Sequence, residues 1–458
     1  GMKRPDTATL NKRMCISHCL DQHPVLQYPI DFKIDYLKIL QYFCEGYCTD
    51  DKFTFAMFEN YKKKILGDAH YTYQYDKARF KNSLRYSAEI NHSKYKFFTC
   101  RFSLLIDCLF LCCFSDENKG KLILNELKRL YSNPYHKKLE ELFHYLYHGG
   151  NPIKAIGKTE NLVHCWLKNQ TYYQEPSDRV VITANMSAGK STLINAIIGK
   201  KVTQSKNDVC TAKIHYINNK TFDDGFAYKY DYEMNLDADV FTLMNDMNHN
   251  DSQEVVIGTY FRFTGGINKK VCFVDTPGVN SSMDPIHRKT TKTALLTRDY
   301  DKLIYVINAE NIGTEDDRQH MKYIAEIAKD KNVIFVLNKV DRFRKGEDDV
   351  FESINKIQDE VTKFGFINPQ IYPVSAYAGL LGKKQLWHEK LDEDEIDELY
   401  LLSRKFNGKN YDLSQYYSKE NQQCVRSIIN AEQDETRKKQ LNFLNNTGIL
   451  ALENIILS

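Results

Sequence analysis

Three features of this sequence predict an α/β fold with a mostly parallel central sheet, preceded by an all-helical N-terminal region. Between Asp31 and about Tyr172, apolar residues recur at helical spacing, as in Tyr36, Leu37, Leu40, Phe43 and Cys44. Past Pro176 the pattern changes to short β-branched runs, the first being Val180-Val181-Ile182-Thr183. Helical stretches separate several of these runs, as in a parallel sheet covered on both faces.

With 458 residues, 42% of them apolar, the chain has a folded composition and room for roughly two to four domains. Its net charge of +3 comes from 63 basic and 60 acidic residues, so no nucleic-acid partner is expected and any anionic contact is local. The cysteines are too sparse for a secreted disulfide scaffold and no signal-peptide pattern opens the chain, which points to a reducing cytoplasm, peripheral at most to the inner face of a membrane. Gly1 ahead of Met2 resembles the residue left by a cleaved affinity tag.

Residues 1–30 read as a flexible lead-in and 31–175 as a helical domain. Its helices are expected near Thr54–Leu66, Lys77–Phe114 with one break, Lys119–Tyr131, Pro134–His148 and Thr159–Gln170, the fourth closed by Gly149 and Gly150. The apolar run Phe97–Phe114 has the length of a membrane span but carries Arg101 and Asp107. Each charge would cost about 2.5–3.5 kcal/mol at the centre of a bilayer, so a buried helix is expected. Cys15, His18, Cys19 and His23 are metal-ligand types, yet their spacing also fits a helix turn, and packing is the preferred reading.

From 176 to 458 a second domain is expected. Further strands are read at Ala212–Ile217, Val255–Phe263, Val271–Val274, Lys302–Ile307, Val333–Leu337 and Ile371–Val374. A helical insertion is expected at about 380–445, its acidic run from Glu389 to Glu398 forming a solvated face.

The segment Ala184-Asn185-Met186-Ser187-Ala188-Gly189-Lys190-Ser191-Thr192 follows a strand and opens a helix, the setting of a phosphate-binding loop. Successive N–H groups can cradle phosphates, Lys190 can reach their outer oxygens and Ser191 can ligate Mg²⁺. Ala184 stands where the motif usually begins with glycine, and fits if its φ stays negative. Three more elements each end a strand. Asp275-Thr276-Pro277-Gly278 places Asp275 near Mg²⁺ through water and the Gly278 N–H near a third phosphate. Asn338-Lys339-Val340-Asp341 supplies a carboxylate that can accept from both guanine donors, which adenine lacks. Ser375-Ala376 offers a backbone N–H to the guanine O6. Thr211 lies between the loop and Asp275, where its hydroxyl can complete the Mg²⁺ shell. Together these motifs predict a P-loop GTPase domain that hydrolyses GTP to GDP and phosphate.

Ser187 before Ala-Gly-Lys-Ser, the Cys210-Thr211-Ala212 segment, Asp-Thr-Pro-Gly followed by Val279-Asn280-Ser281, His287, and the ending Thr447-Gly448-Ile449-Leu450-Ala451-Leu452 resemble the dynamin superfamily, particularly bacterial dynamin-like proteins. The resemblance spans about residues 178–458. It implies slow GTP hydrolysis, accelerated when GTPase domains meet across the nucleotide, hence a nucleotide-dependent homo- or hetero-oligomer and membrane remodelling. It also implies catalytic roles for Ser187, Lys190, Thr211 and Gly278, with Ser187 beside a monovalent cation in some members. Many members carry a water-positioning glutamine where this chain has Met186, and Val279 supplies none either, so isolated turnover is expected to be weak. The alternative is a slow, GTP-gated scaffold that does not act on membranes. The resemblance of the closing helix further predicts that the protein continues past residue 458 into a helical stalk carrying any membrane contact.

Overall fold

The computed structural model describes residues 5–67, 72–82, 98–154, 156–184, 187–204, 213–247, 254–266, 268–277, 285–297 and 299–458. The chain divides into two compact units. One comprises Gly1–Glu175, Thr221–Tyr228 and Met234–Asp237, and the other Pro176–Lys220, Lys229–Glu233 and Ala238–Ser458.

The first unit is built from α1 (Thr7–Arg13), α2 (Ile30–Tyr47), α3 (Lys52–Leu66), α4 (Arg101–Cys113), α5 (Glu117–Lys128), α6 (His136–His148) and α7 (Glu160–Gln174). Carboxylates start several of them: Asp6, Asp51 and Asp116 each accept an orphan N–H of the first turn of α1, α3 and α5. Gly67 and Gly149 close α3 and α6. The expected flexible lead-in over 1–30 is corrected by the described residues 5–30. Asp6 caps a helix there, and Leu10, Met14, Leu20 and Val25 are buried in the core.

Helix α4 shows why an aspartate interrupts the longest apolar run. Asp107 is buried and accepts hydrogen bonds from His23 Nε2 at 2.7 Å and the Tyr36 hydroxyl at 2.5 Å. The Val25 N–H donates to His23 Nδ1, which leaves the ring proton on Nε2, facing the carboxylate. Among the described residues no helix is long and apolar enough to cross a membrane. The cysteine and histidine cluster disperses: Cys15 bonds the Asn11 carbonyl, His18 stands among the rings of Tyr61, Phe226 and Tyr228, and His23 faces Asp107. Cys19 is joined to Cys165 in a disulfide with a Cα separation of 6.0 Å, a bond that the expectation of a reducing compartment does not anticipate.

A mixed, mostly parallel sheet organises the second unit. Its strands are β1 (Asp178–Ala184), β2 (Ile214–Asn219), β3 (Tyr228–Asp231), β4 (Glu233–Asn235), β5 (Glu254–Thr259), β6 (Val271–Asp275), β7 (Lys302–Asn308), β8 (Asn332–Asn338) and β9 (Ile371–Pro373), in the order β4-β3-β5-β2-β6-β1-β7-β8-β9. β1 runs parallel to both β6 and β7, β7 to β8, and β8 to β9. The β2–β6 pairing is antiparallel. Every residue of β6 and β7 is buried, as continuous Val and Ile runs in a covered sheet require.

Strands β3 and β4 escape a search for β-branched runs because they read Tyr-Lys-Tyr-Asp and Glu-Met-Asn. The charges of β3 are buried as pairs: Lys229 meets Asp246 at 2.8 Å, and Asp231 meets Lys213 at 2.7 Å.

The helices of this unit are α8 (Lys190–Ile198), α9 (Val240–Met244), α10 (Pro285–Leu296), α11 (Glu315–Ala328), α12 (Val350–Lys363), α13 (Ala376–Leu386), α14 (Glu393–Phe406), α15 (Lys419–Ala431), α16 (Glu435–Asn446) and α17 (Ile449–Leu457). A buried ion pair ties three of them together. Lys383 on α13 meets Glu453 on α17 at 2.8 Å and donates to the Ile197 carbonyl of α8 at 2.6 Å. Glu453 also accepts from the Thr264 N–H and hydroxyl.

Candidate functional site

The site is built where β1, β6, β8 and β9 end on one edge of the sheet. β1 stops at Ala184, which is fully buried beside Val306 and keeps the extended backbone of a strand, so alanine serves in place of the motif's first glycine. Among the described residues of the loop, Ser187, with φ 65°, and Gly189, with φ 79°, are left-handed. A Cβ at Gly189 would lie 2.5 Å from the side-chain nitrogen of Asn338, so only glycine allows the two loops to approach this closely. Lys190 begins α8, Ser191 is buried at its first turn, and Thr192 is half-buried.

Asn338 joins three of the sequence elements. Its amide donates to the Ala188 carbonyl at 2.9 Å, and its side-chain oxygen accepts from the Ala376 N–H at 3.0 Å. Lys339 takes a left-handed φ of 66° and turns the chain into a short 3₁₀ segment, Val340–Arg342. Asp341 accepts from the Ser375 hydroxyl at 2.9 Å, and the same oxygen of Ser375 caps α13 by accepting the Ala378 N–H. On the phosphate side, the Lys190 ammonium donates to the Asp275 carboxylate and to the Thr276 carbonyl. Asp275 is buried at the end of β6, with the Thr203 hydroxyl 3.5 Å from its other oxygen.

The structure thus brings together Ala184, Ser187, Ala188, Gly189, Lys190, Ser191, Asp275, Asn338, Lys339, Asp341, Ser375 and Ala376. Asn185, Met186, Thr211 and Gly278 lie outside the described residues, as does the side chain of His287.

Asn308 is a contributor that reading for motifs misses. It pairs in register with Asn338 across β7 and β8, and donates to the Ser187 carbonyl at 3.2 Å. Two asparagines therefore hold successive carbonyls of the loop, Ser187 and Ala188. The one trace of Asn308's role in the sequence is that β7 and β8 both end in asparagine, which names no partner for it.

Ser191 and Asp275 are hard oxygen donors, one hydroxyl and one carboxylate: Ser191 follows Lys190 in the helix after β1, and Asp275 ends the neighbouring strand β6. So few protein ligands suit Mg²⁺, which retains water and takes the rest of its shell from substrate phosphates.

Residues 180–340 match the Dynamin family model. Over those residues the chain is similar to dynamin-family GTPases. The chain is 26% identical over 205 residues to a probable chloroplastic FZO-like transmembrane GTPase of Arabidopsis thaliana, covering 44% of this chain and 20% of that protein. Dynamin-like protein A of Bacillus subtilis (strain 168) is 24% identical over 207 residues, 44% of this chain and 15% of that one. GTPase Der of Ureaplasma urealyticum serovar 10 is 26% identical over 180 residues, 37% of each. Among solved structures, Era in complex with MgGDPNP and nucleotides 1506–1542 of 16S ribosomal RNA matches at 20% identity and a TM-score of 0.27, over 44% of this chain and 51% of that one. The chain thus spans a fifth or less of the two dynamin-type relatives.

One titratable group packs against the end of β1, just before the loop. His320 on α11 is buried against Thr183, the residue before Ala184, at 3.2 Å, and burial pushes its pKa down to about 4. The unfolded chain would take up this proton near pH 6.5, so it binds more protons than the folded state between about 6.5 and 4. Stability should therefore be full above pH 6.5 and fall as pH drops, by about 2 kcal/mol between pH 7 and pH 5 from this group. Urea unfolding at the two pH values checks this: His320→Gln should remove that part of the slope, and an unchanged slope would contradict it.

Proposed function

We propose that this chain binds GTP with Mg²⁺ and hydrolyses it to GDP and phosphate. The observation that carries the reading is Asn338, whose side chain bonds both the phosphate loop and the Ser375-Ala376 turn. Phosphate cradle, base-reading loop and base-closing turn are then one hydrogen-bonded body.

In this reading Asp341 accepts from the guanine ring N–H and exocyclic amine, and the N–H groups of Ala188, Gly189, Lys190, Ser191 and Thr192 surround the phosphates. Lys190 moves from Asp275 and Thr276 to the β and γ oxygens. Ser191 and Asp275, with Thr211, would hold Mg²⁺, which when bound would supply positive charge against the phosphates. Water attacks the γ phosphorus, the bond to the β–γ bridging oxygen breaks, and GDP leaves with the electron pair. Lys190 and the loop N–H groups stabilise the charge that spreads over the transferred oxygens. Gly278 would add an N–H on the γ side. Met186 offers no hydrogen-bonding group at the place where a glutamine would orient the water, which favours slow turnover by a single domain.

Self-association across the nucleotide, and contact with a membrane, extend this reading by similarity to dynamin-type proteins. The test is phosphate release from GTP and from ATP, with and without Mg²⁺, alongside light scattering in GDP and in GDP with aluminium fluoride. GTP-selective, Mg²⁺-dependent release with assembly in the fluoride state is expected. Failure to bind any guanine nucleotide would sink the reading. Slow release with assembly but no response to lipid vesicles would favour the GTP-gated scaffold.

A further inference from the structure

Lys405 lies in the last turn of α14, outside all the nucleotide motifs and 64 residues from Asp341 in sequence. Its ammonium donates to the Asp341 carbonyl at 2.7 Å and to the Phe343 carbonyl. These carbonyls bracket the end of the 3₁₀ turn Val340–Arg342, where helical backbone leaves acceptors without intrahelical partners. The ammonium also sits 4.9 Å from the centre of the Tyr411 ring, which shields it from solvent on one side.

We propose that Lys405 is a positioning residue for guanine selection, acting by fixing the backbone from which Asp341 projects. The proposal rests on the GTP reading given above and adds to it the element that determines base preference. Reading guanine needs both carboxylate oxygens of Asp341 in the plane of the base, and a small pivot of the turn breaks one of the two bonds. Two holds oppose that pivot: the Ser375 hydroxyl fixes Oδ1 at 2.9 Å, and Lys405 fixes the carbonyl of the same residue. The charged groups around the ammonium are Asp341, Lys345 and Asp348. Burial lowers its pKa from the ordinary lysine value, the cost of holding a charge where it can serve backbone carbonyls.

The test measures affinities of the full chain for GTP, ITP and inorganic triphosphate, using wild type, Lys405→Ala, Lys405→Gln and Lys405→Arg. Inosine lacks the exocyclic amine, so it reports one of the two bonds to Asp341. Lys405→Ala should weaken GTP about tenfold and ITP about twofold, the scale of one charge-assisted hydrogen bond acting indirectly. Triphosphate affinity should stay within about twofold, KM should rise far more than kcat falls, and arginine should restore most of the GTP-over-ITP preference. Lys405→Gln keeps one donor and should change the preference in the same direction by less, which covers an alanine variant that fails to fold. An unaltered GTP-to-ITP ratio in a folded Lys405→Ala or Lys405→Gln protein overturns the proposal. So does an equal loss for GTP and triphosphate, which would mark a general collapse of the site. Wild type that binds no guanine nucleotide would instead defeat the underlying GTP reading.

Discussion

Lys190→Ala should lose GTP and GDP affinity by at least about 100-fold, because it removes two charge-assisted hydrogen bonds to phosphate worth about 1.5–3 kcal/mol each. The structure adds a second consequence. The Lys190 ammonium is the cation against Asp275, whose side chain is 7% exposed, and against the Thr276 carbonyl. Alanine leaves that carboxylate in a buried position with the Thr203 hydroxyl at 3.5 Å, so the variant should also melt at a lower temperature. Lys190→Arg retains the charge and should recover stability more than affinity, since a planar fork does not reproduce the point charge that a phosphate cradle accommodates. Calorimetry with GDP reads the first effect and thermal unfolding the second. Affinity retained within about threefold in a folded Lys190→Ala protein would remove the phosphate loop from the proposed site.

Asp341→Asn should invert base preference. An amide oxygen with an adjoining NH₂ can meet only one of the two guanine donors, and the NH₂ then faces the other donor. The expected loss for GTP is about 2–4 kcal/mol, or roughly 30- to 1,000-fold, while xanthosine triphosphate, whose exocyclic group is an oxygen, should gain. Ser375 can still bond the new side chain, because its hydroxyl meets Oδ1 at 2.9 Å and can donate to an amide oxygen equally well, so the loop should keep its shape. Competition between the two triphosphates for the variant measures the change directly. Retained preference for GTP would mean that Asp341 does not read the base.

The parts of the site visible in the sequence are those whose chemistry is contiguous. Gly189-Lys190-Ser191 and Asn338-Lys339-Val340-Asp341 each follow a β-branched run, and a strand ending in such a turn announces both its position and its ligand. Asn308 and Lys405 were not visible because each acts on a backbone carbonyl more than sixty residues away. Backbone acceptors carry no residue identity, so nothing in the sequence marks either partner. The same holds for α4, where Asp107 looked like a defect in an apolar run until His23 and Tyr36 supplied its donors from elsewhere in the chain. Strand β3 was hidden for a related reason: its charges are buried as pairs whose other members lie more than fifteen residues away in sequence. The packed segment before residue 30 was hidden by polar neighbours among its core residues, Leu10, Met14 and Val25.

The ion pair between Lys383 and Glu453 has a mechanical meaning that its energy does not express. Apolar packing alone would allow α17 to creep along its groove, since one leucine substitutes readily for another. Glu453 does not permit this: a shift of one turn, about 5.4 Å, would carry it away from Lys383 and from Thr264 and strand a bare carboxylate among apolar side chains. Lys383 meanwhile grips the Ile197 carbonyl in the last turn of the helix that Lys190 begins. The closing helix therefore behaves as a pawl engaged on a single tooth, with its axial setting indexed to the far end of the helix that the phosphate loop opens.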